Sequence, residues 1–122
     1  MRYMLLIFTN PENWATLGEA EAKEAMNEYF SFTQRITDSG EFVCGDPLQG
    51  PETATVVRVR GTGRSTSDGP YVESKEHLAG YYVVDCASLD RALELAAQIP
   101  DARFAGVEVR PLADMTNPDL MG

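Results

Sequence analysis

The chain has 122 residues, the length of one domain, and its 43% hydrophobic and 24% charged residues are typical of a globular protein. Nineteen acidic residues outnumber ten basic ones, which gives a formal net charge of -9. Because so acidic a chain repels phosphate backbones, and no basic amphipathic helix is evident, we expect no direct binding to nucleic acid or membranes.

The N-terminal segment predicts the first strand. Tyr3 to Thr9 is a continuous apolar run, which is typical of a strand buried on both faces. The run is too short for the hydrophobic part of a signal peptide, and no transmembrane stretch is present, so we expect a cytoplasmic protein. Residues 11–18 predict a loop, from which Trp14 and Leu17 fold back onto the domain.

A long amphipathic helix is predicted from Glu19 to Ser39. Acidic residues crowd its first turns, which suits the positive end of the helix dipole, and Gly40 suits a left-handed C-terminal stop. Its apolar residues recur at helical spacing and form a predicted core-facing stripe of Ala22, Ala25, Met26, Tyr29, Phe30, Phe32 and Ile36.

The middle of the chain predicts two strands and a hairpin partner. Phe42 to Gly45 is the second strand, and residues 46–51 form a rigid connector. Thr53 to Arg60 is rich in β-branched residues and predicts a third strand. The turn at 61–63 returns the chain, so that Arg64 to Asp68 pairs with the third strand as a short hairpin.

The last third predicts a strand, a helix and a strand. Ala79 to Ala87 is the fourth main strand, and Ser88 is a natural N-cap for a helix that Pro100 ends. Phe104 to Leu112 is the final strand. The helix presents one apolar face made of Leu89, Ala92, Leu93 and Ala96. This order predicts the α+β class, as a ferredoxin-like βαββαβ arrangement with an extra hairpin.

The same pattern predicts one domain over residues 1–115, with a C-terminal tail at 116–122. Two helices can cover only one face of such a sheet. Side chains alternate along strands, yet both alternating sets are apolar: in the first strand Met4, Leu6 and Phe8 point one way and Tyr3, Leu5 and Ile7 the other, and in the fourth strand Tyr81 and Val83 oppose Tyr82 and Val84. A bare apolar face is a liability in a monomer, so we expect a homodimer that buries about 800 Å2 per partner as a dimeric α+β barrel.

A charged loop follows the predicted hairpin, from Asp68 to His77. Its Asp-Gly-Pro opening makes a stiff turn. In one interpretation Asp68, Glu73 and His77 are catalytic groups that exchange protons, and Lys75 and Glu76 bind the ligand. In the other, the loop lies on the surface and its charges neutralise each other. One histidine without neighbouring donors predicts no metal site, and we expect no cofactor.

Further candidates lie on the strands. Arg58 and Arg60 share one side of the third strand and either bind an anionic ligand or pair with carboxylates across the sheet, such as Glu108. Tyr81 either orients the ligand or packs in the core.

The two cysteines carry no motif. Cys44 and Cys86 lie in apolar segments and are expected to be buried free thiols. They have no Cys-x-x-Cys spacing, so no redox or metal motif is present.

The chain resembles the DGPF branch of the YCII-related family over roughly Met1 to Met115. The resemblance rests on the Arg-Tyr-Met-Leu-Leu-Ile opening, Asp-Gly-Pro-Tyr-Val-Glu-Ser-Lys-Glu at 68–76, and Val-Glu-Val-Arg-Pro at 107–111. It implies a ferredoxin-like fold and a dimeric α+β barrel. The family commonly has Gln at the position of His77, which argues against a family-wide catalytic histidine.

The resemblance leaves two functions open. Some YCII-related proteins are proposed to use a His-Asp pair with the histidine on the first helix. That helix has no histidine here, and Tyr29 lies near the expected position, so the pair is not transferred. One hypothesis is a binder or enzyme for a small, partly aromatic or anionic molecule between the sheet and the charged loop. The alternative, by analogy with relatives found beside sigma factors, is a non-enzymatic module of transcription control.

Overall fold

The computed structural model describes residues 1–116. Its strands are β1 (Arg2–Thr9), β2 (Phe42–Pro47), β3 (Thr55–Arg60), β4 (Gly63–Asp68), β5 (His77–Asp85) and β6 (Gly106–Pro111). Its helices are α1 (Pro11–Ala15), α2 (Glu19–Asp38), α3 (Leu89–Ala97) and α4 (Asp101–Phe104), and a 3-10 turn covers Pro51–Thr53. Of the predicted tail, all but Thr116 lies outside the described residues.

A four-stranded antiparallel sheet forms the centre of the fold, with the strand order β2-β5-β1-β6. This is the predicted mixed α+β arrangement, and the strand order is consistent with a ferredoxin-like fold. The two-residue alternation is confirmed in β1. Tyr3, Leu5 and Ile7 are buried against the helices, whereas the residues between them are half-buried on the helix-free face.

Both long helices lie on one face of the sheet, as predicted. They contribute to a single core cluster with the inward side chains of β1 and β5. Ser88 caps α3 by accepting a hydrogen bond from the Arg91 amide at 3.2 Å, and Gly40 follows α2 with a φ of +82°. The buried helical residues of this cluster are Phe32, Ile36, Ala92, Leu95 and Ala96.

The core-facing stripe of α2 is narrower than predicted. Met26 is 46% exposed and Phe30 68% exposed. Each follows a core-facing residue by one position and therefore lies about 100° further round the helix. Leu89 and Leu93 of α3 are likewise exposed, and Leu95 is buried in their place.

Two short helices were not predicted. Residues 11–18 were expected to be a loop, but Pro11–Ala15 forms α1, which starts where the Asn10 side chain accepts a hydrogen bond from the Glu12 amide at 3.0 Å. Asp101–Phe104 forms α4 directly after Pro100. Helices of five and four residues are too short to show an apolar period in the sequence.

The β3–β4 hairpin forms a two-stranded sheet of its own and does not join the main sheet.

The prediction for Cys44 was wrong, because this thiol is exposed, whereas Cys86 is buried and free as predicted. Cys44 lies on an edge strand, and it is the Cα partner of Val83 on the helix-free face. Within residues 1–116, no helix has the length and apolar character needed to cross a bilayer.

Candidate functional site

A groove of about 1000 Å3 lies at one end of the helix-free face. Phe8 of β1 and its Cα partner Leu78 of β5 line it together with Glu108 of β6. Its remaining lining comes mostly from residues 48–54 and 70–77, the two segments that lead into and out of the hairpin.

A backbone hydrogen bond joins these two segments. Gly69 has a φ of +99°, a left-handed conformation that glycine adopts without strain. Its amide donates to the carbonyl of Ala54 at 2.8 Å. The predicted stiff turn therefore fixes the spacing between the two walls of the groove.

The groove combines a mostly apolar lining with a few ionisable side chains. Its ionisable residues are Glu76, His77, Glu108 and the phenol of Tyr71, and its described lining includes no lysine or arginine. His77 is half-buried and is the Cα partner of Thr9 at the end of β1. Such a lining offers acceptors to a ligand that carries hydroxyl or amino groups, and it offers no fixed cation to an anion.

A second, smaller groove of about 480 Å3 adjoins the first. His77 lines both grooves, and Lys75 lines only the smaller one, together with Glu12 and Glu52. Among the described residues, no three histidine, cysteine, aspartate or glutamate side chains gather as a metal site would require.

The structure brings together only part of the predicted site. Glu76 and His77 line the main groove, and Lys75 lines its neighbour. Five predicted residues line neither groove: Asp68, Glu73, Arg58, Arg60 and Tyr81. The arginines lie on the hairpin, and the pairing of strands in space is not visible in a local sequence pattern.

The alternative pairing of the third-strand arginines with Glu108 does not form. The Arg58 guanidinium lies over the Tyr71 ring, 5.4 Å from its centre, whereas the nearest cation to Glu108 is Arg110, with Nε 3.9 Å from Oε2. Within the described part of the chain, neither Arg58 nor Arg60 forms an ion pair.

Tyr81 lies on the helix-free face but away from the groove. Its hydroxyl donates to Asp46 Oδ2 at 2.9 Å, and this hydrogen bond, together with the negative charge of Asp46, raises the pKa of the Tyr81 phenol. The tyrosine therefore stays neutral at physiological pH and ties β5 to β2.

The sequence analysis missed a buried carboxylate on the helix side. Asp101 is 4% exposed. Its Oδ1 accepts hydrogen bonds from Trp14 Nε1 at 2.8 Å and Thr9 Oγ1 at 2.9 Å, and its Oδ2 accepts one from the Tyr29 hydroxyl at 2.5 Å. The expectation that Trp14 folds back onto the domain is thus confirmed, and its ring also packs edge-on against Phe104.

Tyr29, which lies near the position where the sequence resemblance places a histidine in some relatives, is therefore paired with an aspartate. Burial raises the pKa of the Tyr29 phenol, and the hydrogen bond to Asp101 raises it further. A phenol held neutral in this way is no base near pH 7, and Asp101 lines neither groove. The cluster joins α1, α2, α4 and β1, and no local signal in the sequence identifies it.

Comparison with known proteins agrees with the fold. The YCII-related domain matches residues 1–116. An uncharacterised protein of Rhizobium meliloti strain 1021 is 30% identical over 115 residues, which cover 93% of each chain. The solved structure of 5-chloro-2-hydroxyhydroquinone dehydrochlorinase (TftG) from Burkholderia phenoliruptrix AC1100, in complex with 2,5-dihydroxybenzoquinone, superposes with a TM-score of 0.51 at 15% identity, covering 96% of this chain and 99% of that one.

Proposed function

Since the chain belongs to the YCII-related domain family, we propose that it is a small-molecule-binding domain whose site is the main groove of the helix-free face. The observation that carries this proposal is the convergence of Glu76, His77 and Glu108 on one apolar groove of about 1000 Å3. Sites for small molecules are mostly apolar clefts of roughly 300–1,000 Å3 with a few placed polar groups.

The lining favours a neutral, hydroxylated aromatic ligand. Two carboxylates accept hydrogen bonds from hydroxyl groups but repel a ligand carboxylate or phosphate, and no lysine or arginine of the described lining is placed to bind an anion. Arg110 pairs with Glu108 at 3.9 Å but does not line the groove. This choice narrows the sequence-based expectation, which included anionic ligands. TftG, a protein of similar fold, holds a hydroxylated ring compound, which guides only the choice of the first compounds to test.

His77 is the candidate for proton transfer at this site. Imidazole is the side chain best suited to exchange protons near neutral pH, and Glu76 and Glu108 line the same groove. Glutamine in its place keeps hydrogen-bonding capacity but takes up no proton. His77→Gln should therefore leave ligand affinity within about threefold of wild type and abolish any turnover that depends on proton transfer.

Isothermal titration calorimetry with hydroquinone and with benzoate tests the proposed site. Hydroquinone should bind, and benzoate should bind at least about tenfold more weakly because of the carboxylates. Glu108→Gln should weaken hydroquinone binding about tenfold, since a hydrogen bond to a charged group contributes roughly 1.5–3 kcal/mol. Glu21→Gln, an exposed change on α2, is the matched control. Equal binding of both compounds, or an unchanged Glu108→Gln variant, would contradict the proposed site.

We also propose that the helix-free face forms a homodimer interface. Met4, Leu6 and Phe8 are only half-buried on this face, and Cys44 is exposed on its edge strand. Burial of about 800 Å2 per partner would cover it. Sedimentation equilibrium should give about twice 13.4 kDa, and Cys44 should react more slowly with a thiol reagent as the protein concentration rises. A species of 13.4 kDa at all concentrations would refute the dimer.

A further inference from the structure

The β3–β4 hairpin exposes apolar side chains. Its strands pair with each other, and every residue of them except Val56 is exposed. Val57 is 56% exposed and Val59 60% exposed. A two-stranded ribbon alone in water is at best marginally stable, and exposed strand edges favour unwanted pairing. We therefore expect the exposed valines of the hairpin to pack against another protein surface.

The hairpin does not cover the groove of its own chain. β3 begins directly after the groove residue Ala54, and β4 ends just before the groove residue Pro70. None of residues 55–68 lines the groove. Six residues at about 3.3 Å each span roughly 20 Å, so the hairpin extends well beyond the walls from which it starts.

Charge identifies a matching surface. The outer half of the hairpin carries three of the ten basic residues of the chain, of which Arg64 lies on the same face as Val57 and Val59, whereas its one carboxylate, Asp68, lies at its base. The groove carries Glu76 and Glu108 and no cation in its described lining. A second copy of this chain therefore offers the acidic and apolar surface that the hairpin lacks in its own chain.

One face of the hairpin suits this contact. Val59 is the Cα partner of Arg64, and Val57 lies two residues before Val59, so these three side chains share one face. We call this face the docking face. Asp68, the Cα partner of Thr55, lies on the same face at the base of the hairpin, so Arg64 is the charged residue of its outer half. Arg58 and Arg60 lie on the opposite face, where Arg58 stacks on Tyr71 of its own chain.

We propose that in the homodimer the docking face of each copy lies across the main groove of the other copy. The valines cover the apolar lining, and Arg64 faces the carboxylates. A two-fold axis lets both copies make the same contact, so both grooves close at once. This inference rests on the proposed function, and it adds that each ligand site is built from two chains.

Sedimentation equilibrium of a double variant tests the contact. Val57→Asp with Val59→Asp should weaken dimerisation at least about 100-fold, because it places two buried charges beside carboxylates. The matched control, Met26→Asp with Phe30→Asp, makes the same chemical change at exposed apolar positions on α2 and should alter dimerisation less than about threefold. Arg64→Glu should weaken dimerisation at least about tenfold, whereas Arg64→Lys, which keeps the positive charge, should dimerise almost as tightly as wild type.

The outcomes separate the two proposals. A monomeric wild type would overturn the homodimer and the hairpin contact together. A dimeric wild type with undiminished dimerisation in both hairpin variants would overturn the hairpin contact alone and leave the groove and the dimer standing. Far-UV circular dichroism checks the fold, and Arg64→Glu carries the test if the aspartate variant does not fold. Hydrogen exchange of residues 55–68 should also slow at least about tenfold as wild-type dimer forms.

Discussion

Replacing Asp101 by Asn should destabilise the fold by about 2–3 kcal/mol. The carboxylate accepts from Thr9, Trp14 and Tyr29, and hydrogen bonds to charged groups contribute roughly 1.5–3 kcal/mol each. Asparagine keeps one oxygen, so at least one buried donor must face its amino group. Relief from burying a charge offsets part of this loss. The remainder is a large fraction of the 5–15 kcal/mol stability of a typical domain.

Urea unfolding at pH 7 measures this loss at equal protein concentrations, since dimerisation also affects stability. Tyr29→Phe removes one donor and should cost less, about 1–2 kcal/mol. Asp38→Asn alters an exposed carboxylate on α2 that accepts from Gln34 and should change stability by less than about 0.5 kcal/mol. If Asp101→Asn matched wild type within about 0.5 kcal/mol, the three hydrogen bonds would not stabilise the fold as argued.

Two further predictions concern pH. The folded pKa of Tyr29 lies above its ordinary value of 10.0, so its contribution is complete below pH 10 and is lost as the pH rises further. Above pH 10 the free energy of unfolding, measured by urea titration at each pH, should therefore fall less steeply with pH in Tyr29→Phe than in wild type, by about 1.4 kcal/mol per pH unit. Equal slopes in the two proteins would exclude this role of Tyr29. The Arg91 guanidinium, which donates to both Glu41 oxygens at 2.9 and 3.0 Å, holds the pKa of Glu41 below its ordinary value of 4.5. Glu41→Gln should therefore be less stable than wild type at pH 7. In thermal melts the difference in stability between the two proteins should shrink below pH 4.5, where Glu41 becomes protonated in the unfolded chain. A difference that does not change with pH would count against the ion pair.

The fold was predictable because its signals are local. The alternation in β1, the helical period of α2 and the Ser88 cap each depend on residues within a few positions of one another. Together they predict the order of the main strands and the two long helices, and that both long helices lie on one face of the sheet.

The site was less predictable because it depends on contacts between distant segments. The separate sheet of β3 and β4 moved Arg58 and Arg60 away from the groove, and no alternation pattern reports which strands pair. Cys44 looked buried from its apolar neighbours, but its place on an edge strand exposes it. Glu76 and His77, which the sequence predicts as site residues, line the candidate groove because the charged loop itself forms one of its walls.

Asp101 was missed for the same reason, and its position connects the two faces of the sheet. Its hydrogen bond to Thr9 spans 92 positions and holds the end of β1 from the helix side. Phe8, which precedes Thr9 in β1, lines the groove on the opposite face of the sheet, and His77 is the Cα partner of Thr9. The cluster around Asp101 therefore fixes the strand end on which the groove depends. Because an unsupported strand end moves the lining of the groove, loss of Asp101 should weaken hydroquinone binding even at temperatures where the variant stays folded.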